Sequence, residues 1–494
     1  MRAGAGGLTL ADLVAGLADR PGSLVSLPSV EILSTVIDSR QAAPGSLFVA
    51  LRGQQRDGHE FISDAIAKGA VAVIAERLPD STECSTLDLR AQEPSSRSLS
   101  VPLCILVPDG LAGLQRVASY WRRVHDLRVV GITGSVGKTT TKEVIAAVLE
   151  QRYRTLKAEG NYNNEIGLPL TVLNLTGSHE HMILEMGMYD VGEIAQLAEI
   201  GRPQVGVVTN VGPTHLERLR TIERIAEAKA ELVQALPSAE EGGVAVLNAD
   251  DPRVQAMRSK THARVFAYGL DPTADLWADN IESEGLEGIR FQFHYAGESL
   301  HVRVPMLGRH SVHTALGAAS VGLLEGLSWT EIIGGLQDQT AQLRLVAVQG
   351  QHGSTILDDS YNSGPASCIA ALRLLGELAG RKIAVLGDMY ELGAHEEDGH
   401  RMVGRSAGDV VDLLVSVGEL ARMIGLEAMS SGMGPAQVHL VETNAQAIGL
   451  MKSLLEPGDV VLIKGSRGMG MEEIVAALTQ STYDSEGEAR ADAP

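Results

Sequence analysis

Cysteine is scarce in this chain of 494 residues: Cys84, Cys104 and Cys368 are its only three. So small, odd and scattered a set excludes a disulfide framework and a zinc motif, and it fits a reducing compartment. Aromatic residues make up only 3%, so the cores must be built from Leu, Val, Ile and Ala. No run reaches the ~18 apolar residues of a membrane-spanning helix. The N-terminal segment MRAGAGGLTLADLVAGLADRPG has its apolar run broken by Asp12; it reads as an amphipathic helix rather than the core of a signal peptide. A cytoplasmic protein is the expectation. Positive charge is in deficit, 41 Lys and Arg against 62 Asp and Glu, for a formal net charge of −21. That excludes nucleic acid or an anionic membrane as a chain-wide partner. Any anionic ligand must be held by a few local cations, helix N-termini or a metal.

Glycine is abundant, with 54 residues against a usual share of ~7%, so many tight turns are expected. The 44% hydrophobic and 21% charged residues belong to a globular protein, and the length suggests about three domains. Short continuous apolar runs recur at residues 127–131 (LRVVG), 181–184 (HMIL), 205–208 (VGVV), 244–247 (VAVL), 383–386 (IAVL) and 460–463 (VVLI). Most are followed by turn residues and a helix-like segment. Continuous runs suit parallel strands covered on both faces, so the fold class is α/β. Three blocks follow. Residues 1–125 include a helix near Leu111–Val124. Residues 126–340 open on a glycine-rich loop. Residues 341–480 restart with a strand-like segment, Arg344–Val348, and contain the buried-type run Leu413–Val417. The polar, acidic tail 481–494 is expected to be disordered.

The strongest local signal is GITGSVGKTTT, Gly131–Thr141, placed between an apolar strand and a helical segment. Such a turn aims backbone N–H groups and a helix N-terminus at phosphates. Lys138 would reach the β- and γ-phosphates, and the Thr139 hydroxyl would ligate Mg²⁺. Gly131 and Gly137 are separated by five residues instead of the usual four. Glu185, at the end of another apolar run, faces the same predicted crevice edge and could hold Mg²⁺. His215, in TNVGPTHLE, shares that edge. Lys229, in the predicted helix Glu223–Leu236, reads from local spacing alone as a solvated surface lysine. Asn161, Asn163 and Asn164 in GNYNNEIGLP are costly to bury without partners, so they form turns and caps or grip a polar ligand. Asp358 and Asp359 in LDDSYNSGP open a loop of the ligand-binding kind. Lys464, Ser466 and Arg467 after the last strand could grip a carboxylate.

Taken together, these segments resemble the Mur ligase family of bacterial peptidoglycan synthesis over nearly the whole chain. The resemblance rests on DSRQAAPGSLFVALRGQQRDGHEF, TGSVGKTT, GNYNNEIGLPLT, EMGM, TNVGPTHLE, EAKAEL, VLNADDP, LDDSYNSGP, VLGDMYELG and VLIKGSRGMGME. The Asn-rich loop and the C-terminal motifs resemble the branch that adds D-alanyl-D-alanine. What the resemblance implies is a three-domain architecture. Residues 1–125 would bind the UDP-MurNAc-peptide. Residues 126–340 would be an ATPase domain, with a central P-loop parallel sheet and helices on both faces. Residues 341–480 would be a Rossmann-like domain binding ATP and D-Ala-D-Ala.

It implies further that ATP activates the carboxylate of UDP-MurNAc-tripeptide as an acyl phosphate, which the dipeptide amine attacks. By resemblance, Gly134, Ser135, Val136, Gly137, Lys138, Thr139, Thr140, Arg344 and Asp359 serve ATP. Thr139, Glu185, His215 and Lys229 hold two Mg²⁺ ions, Lys229 as a carbamate, which reverses its surface reading. Catalysis falls to Lys138, Glu185, His215 and Lys229. Ser39 and Arg40 match the uridine segment, Asn163 and Asn164 the muramoyl loop, and Tyr361 and Asn362 the dipeptide site. A monomer without nucleic-acid partners is expected.

The sequence also departs from the family. The linker reads GRHSVHTALGA, with Ser311 and Thr314 where Asn is usual, and the dipeptide loop has Ser363-Gly364 in place of Ala-Asn. DDPR at Asp250–Arg253 resembles the amino-acid motif of a sister ligase but lies in the wrong block, so it reads as a strand-end turn. A folate-type synthetase is disfavoured by the N-terminal DSR and DGHEF segments, and the sister ligases by DDSYN and KGSRGMGME. A P-loop switch protein is disfavoured by the missing NKxD segment.

Overall fold

The computed structural model describes residues 6–18, 27–53, 56–79, 82–90, 99–214, 216–338 and 345–479. His215, Arg344 and the tail 481–494 lie outside the described residues. The chain divides into two compact units, Met1–Asn210 with Ala226–Ala267 and Gly317–Gly335, and Val211–Ile225 with Tyr268–Leu316 and Leu336–Pro494.

In the first unit, β1 (Ser34–Val36), β2 (Ser46–Val49), β3 (Ala72–Ala75), β4 (Ser85–Asp88) and β5 (Leu103–Leu106) form a parallel sheet of order β1-β2-β3-β5-β4. The expected N-terminal helix is Leu10–Leu17, started by a reciprocal Thr9–Asp12 capping box. The DGHEF segment is pinned by a polar clamp. Asp57 accepts from the His59 backbone N–H at 3.0 Å and from Arg77 at 2.8 Å. His59 Nδ1 lies 2.6 Å from Asp57, and its Nε2 accepts from Glu76 N–H at 3.0 Å, just past β3. Because Nε2 accepts, the Nδ1–H donates to Asp57.

The glycine-rich loop belongs to the same unit. It follows β6 (Arg128–Thr133), which is joined by β7 (Thr155–Lys157), β8 (His181–Glu185), β9 (Val205–Val208), β10 (Val244–Asn248) and β11 (Arg264–Gly269). Their order is β11-β10-β9-β6-β8-β7, and the β6, β7, β8, β9 and β10 pairings are parallel. The helix Gly110–Val124 packs against the helices Gly167–Leu173 and Glu193–Gly201, with Trp121 Nε1–H donating to Leu175 O at 3.0 Å.

The second unit contains a meander that the apolar runs did not announce: β12 (Leu276–Ser283), β13 (Ile289–Tyr295) and β14 (Glu298–Val304), all antiparallel. Its strands alternate buried and exposed residues, as one-sided sheets do. The outer row Trp277–His294–Ser299, its two rings half-buried, is a cross-strand ladder, with the Trp277 and His294 rings stacked at 3.7 Å and Ser299 Oγ 2.8 Å from His294 Nδ1.

The C-terminal sheet of that unit contains β15 (Val346–Gln349), β16 (Thr355–Asp359), β17 (Lys382–Gly387), β18 (Leu413–Val417), β19 (Val438–Val441) and β20 (Val460–Lys464), in the order β15-β16-β20-β17-β18-β19. β15 is antiparallel to its neighbour β16. Alternate residues of its apolar runs face two cores, Leu357, Ala384, Leu386, Leu414 and Leu462 on one side and Ile356, Ile383, Val385, Val415 and Ile463 on the other. Burial on both faces explains why those runs are continuous. Asp358 and Asp359, expected just after a strand, are its last two residues.

The Asp57 clamp sets a pH dependence. The backbone bond from His59, then the His59 and Arg77 side chains, hold the Asp57 carboxyl well below its ordinary range. A depressed carboxyl stabilises the fold above its unfolded value of ~3.9, and that contribution is lost as pH falls towards the folded value. Asp57→Asn should therefore lower the urea midpoint at pH 7, and the gap from the parent should narrow as pH drops below about 5. A gap that holds constant or widens on acidification would count against the clamp.

Candidate functional site

Strand order reverses at β6, which has β8 on one side and β9 on the other. In an open parallel sheet, that reversal opens a crevice beyond the C-terminal strand ends. The phosphate-type loop leaves β6 into this crevice. At Gly134 the backbone has φ +152°, and a Cβ there would lie 1.9 Å from Thr209 Oγ1, so only glycine fits. Gly137, at φ +84°, turns the chain into the helix Lys138–Glu150, which begins four residues before the expected segment.

The loop is laced to the end of β9. Ser135 N–H donates to Asn210 O at 3.0 Å, and Val136 N–H donates to Asn210 Oδ1 at 2.9 Å. Thr209 Oγ1 and Asn210 Nδ2 both donate to Val136 O. Sequence reasoning singled out neither Thr209 nor Asn210. Their signal was present, as two polar residues directly ending an apolar strand. Lys138 Nζ donates to Gly134 O at 2.8 Å, folding back over the loop it follows.

Glu185 ends β8 beside β6, in register with Ile132. Its carboxylate is buried at 1% exposure. Thr139 Oγ1 donates to one oxygen and Asn163 Nδ2 to the other, each at 2.8 Å. Four predicted site residues, Lys138, Thr139, Asn163 and Glu185, are thus brought to one crevice. Asn164 is used differently, because its Oδ1 accepts from Gly167 N–H at 2.9 Å and starts the helix Gly167–Leu173. With Glu165, Gly187, Glu193, Gln196 and Leu197 it also lines a small pocket beside this crevice.

Lys229 contradicts the surface reading that local spacing suggested. It lies in the helix Ile222–Gln234 and is only 2% exposed. Burial first, and the charge of Lys138 second, push its amine well below the ordinary lysine range. Thr139 and Glu185 together offer hard oxygen donors, which fits Mg²⁺ rather than a softer metal.

In the second unit, Asp359 and Lys464 are register partners at the ends of β16 and β20. Lys464 Nζ donates to Asp359 Oδ2 at 2.7 Å and to Asn362 O at 2.8 Å. Lys464 thus holds the loop of Tyr361 and Asn362 rather than standing ready for a carboxylate. The Arg467 guanidinium lies over the Tyr361 ring at 5.0 Å. In the N-terminal sheet's region, Ser39 is buried, while Arg40 is exposed and paired with Asp38 at 2.6 Å.

Family models match three stretches: "Mur ligase family, catalytic domain" over residues 31–101, "Mur ligase middle domain" over 132–322, and "Mur ligase, glutamate ligase domain" over 343–467. The chain is 34% identical over 477 residues to the UDP-N-acetylmuramoyl-tripeptide--D-alanyl-D-alanine ligase of Bacillus subtilis, covering 96% of this chain and 98% of that protein. It is 35% identical to the Escherichia coli protein of the same name, covering 90% and 93%. Among solved structures, a MurF from Acinetobacter baumannii superposes with TM-score 0.79 at 30% identity, covering 95% and 98%. The MurF ligase from Thermotoga maritima in complex with ADP gives 0.74 at 28% identity, covering 90% and 97%.

The Asp359–Lys464 pair carries a stability prediction. Lys464 is 2% exposed, and removing one partner of a buried pair strands the other, at a cost of about 3–5 kcal/mol. Lys464→Met should lower the urea midpoint strongly, and Asp359→Asn added to it should restore part of the loss. A double variant less stable than Lys464→Met would refute the pairing.

Proposed function

This chain belongs to the Mur ligase family, and from that premise we propose its reaction: ATP-dependent ligation of D-alanyl-D-alanine to UDP-MurNAc-tripeptide, an amide-forming step of peptidoglycan precursor synthesis. The single observation that carries it is the crevice at the end of β6, where a phosphate-type loop, Lys138 and the Thr139–Glu185–Asn163 contacts converge. The similarity at 34% identity over 96% of the chain selects the substrates.

The chemistry follows from charge. A carboxylate attacking a γ-phosphate brings two anions together, so catalysis is neutralisation and alignment. The tripeptide carboxylate oxygen takes the γ-phosphoryl group and ADP departs. The dipeptide amine adds to the acyl carbon, loses a proton, and expels inorganic phosphate as the amide forms. The loop of Gly134, Ser135, Val136, Gly137 and Thr140 would line the phosphates, held in shape by the Ser135 and Val136 N–H bonds to Asn210, and Lys138 would turn its ammonium from Gly134 O towards them. Mg²⁺, when bound, would be held by Thr139 and Glu185 and would spread the phosphate charge. A second ion would be held by His215 and Lys229.

That last assignment needs Lys229 to become an anion. A neutral amine attacks CO₂, an N–C bond forms as one C=O π bond gives its electron pair to oxygen, the nitrogen loses a proton to solvent, and a carbamate results. The depressed amine of buried Lys229 supports this step, because a protonated amine has no lone pair to give. By the same reading, residues 1–125 hold the UDP-MurNAc-peptide through Ser39 and Arg40, with Asn163 and Asn164 towards the muramoyl part. Residues 126–340 hold ATP. Residues 341–480 supply Arg344 and Asp359 to the nucleotide, and Tyr361 and Asn362 to D-Ala-D-Ala. A cytoplasmic monomer fits substrates of this kind, and no helix among the described residues is long and apolar enough to cross a membrane.

Phosphate release with ATP, Mg²⁺ and UDP-MurNAc-tripeptide should depend on added D-Ala-D-Ala, and the product should gain the mass of the dipeptide. Release that ignores the dipeptide, or that answers to a single amino acid instead, refutes the proposal. For the carbamate, Lys229→Ala should lose nearly all activity and regain part of it with added short carboxylic acids. Near-normal activity without rescue would return Lys229 to a packing role.

A further inference from the structure

Lys142 stands outside every motif role assigned above, yet it is the helix residue most costly to bury. It is fully buried. Its ammonium donates to Ala158 O at 2.6 Å and Gly160 O at 2.8 Å, and it pairs with Glu143 Oε1 at 3.0 Å. Two carbonyls thus accept from the ammonium and a carboxylate lies at ion-pair distance, which is how a buried ammonium is satisfied. The other Glu143 oxygen is held by Lys157 Nζ at 2.6 Å, so Glu143 does not depend on Lys142 alone.

The two carbonyls are the base of the Asn-rich loop, three to five residues before Asn163. Beyond them, Asn163 O accepts from Gly187 N–H at 2.8 Å while its amide holds Glu185. Thr139, three residues before Lys142 on the same helix, holds the other Glu185 oxygen. A closed circuit results: one helix grips the carboxylate directly through Thr139 and indirectly through Lys142, the loop and Asn163.

We propose that Lys142 is a positioning residue that fixes the Asn163 loop, and through it the Glu185 carboxylate, in the orientation that receives Mg²⁺ with the nucleotide. The proposal rests on the reading of Glu185 as a metal-holding residue. Ligand-orienting partners of this kind typically change metal affinity by about 10–100-fold when removed.

The test uses the full-length protein and calorimetric ADP binding with and without Mg²⁺. Lys142→Met keeps the apolar stem and removes the donors. Gly160→Val acts from the other end: Gly160 is exposed, at φ +50°, with nothing within 4 Å of a Cβ, so a β-branched residue shifts the carbonyl by backbone strain alone. Both variants should leave ADP affinity without Mg²⁺ unchanged and cut the Mg²⁺-dependent gain about tenfold, and Asn163→Ala should cut that gain as far. Lys142→Met combined with Asn163→Ala should be no worse than the weaker single variant.

Equal loss with and without Mg²⁺, or losses that multiply in the double variant, would overturn the proposal and leave Lys142 a fold support. If Lys142→Met does not fold, Gly160→Val decides alone, and an unchanged Mg²⁺ gain there overturns it. A parent protein with no Mg²⁺-dependent gain would overturn the reading of Glu185 itself, and the proposal with it.

Discussion

A carboxylate buried at the end of a parallel strand has to be satisfied, and the phosphate-loop crevice of this molecule is organised around that requirement. Glu185 is 1% exposed. An unpaired ion at such depth would cost several kcal/mol or would take up a proton. The chain meets the demand with one donor from the phosphate-loop helix and one from the Asn-rich loop. Two bonds leave lone pairs on both oxygens. The same geometry that satisfies the carboxylate therefore leaves it able to bind a hard cation. Supporting bonds extend outward, with Thr133 Oγ1 donating to Met186 O at 2.9 Å directly behind it.

The electrostatic economy is local. A chain with net charge −21 repels anions at long range, but screening confines that field to roughly 8–10 Å. Within the crevice the signs differ: backbone N–H groups and a helix N-terminus converge, and Lys138 lies close enough to Lys229 to depress its amine. Two lysines near one another cannot both be cheaply charged. Burial and the charge of Lys138 push the Lys229 amine down, while Lys138, half-buried, folds back onto Gly134 O. A composition-level argument excludes nucleic acid from such a protein, yet it says nothing against a nucleotide seated on a few groups.

Much of this was legible in the residues. Continuous apolar runs marked β6, β8, β9, β10, β17, β18 and β20 to within a residue or two, because strands buried on both faces have no polar alternation to blur them. The glycine-rich loop was legible because only glycine tolerates its dihedral angles and close approach to Thr209. The meander β12–β14 was not, since its alternating, half-exposed strands such as FQFHY resemble neither a buried run nor a helix. Lys142, and Lys229 as far as periodicity alone goes, were illegible for a different reason. Helical periodicity reports which face is apolar, and a lysine on the inner face reads as an outer one unless its partners are known. Those partners, carbonyls 158 and 160 for Lys142 and the Lys138 neighbourhood for Lys229, are non-local or carried by backbone, so no side-chain pattern announces them.

The helix of Lys229 shows how one element can serve two electrostatic tasks. Residues two apart on a helix point to different sides. Lys229 is buried under the influence of Lys138, while Glu231 turns elsewhere and accepts from Gly192 N–H at 2.6 Å and Ala195 N–H at 3.0 Å. Those N–H groups open the helix Glu193–Gly201, whose own first residue caps the preceding turn by accepting from Tyr189 N–H at 2.7 Å. A carboxylate supplied by another helix thus satisfies the N-terminal donors that Gly192, having no side chain, cannot. The loop that leaves Glu185 is consequently tied to the helix that carries Lys229. A shift of that loop would pull on the Glu185 carboxylate and on the Lys229 helix together.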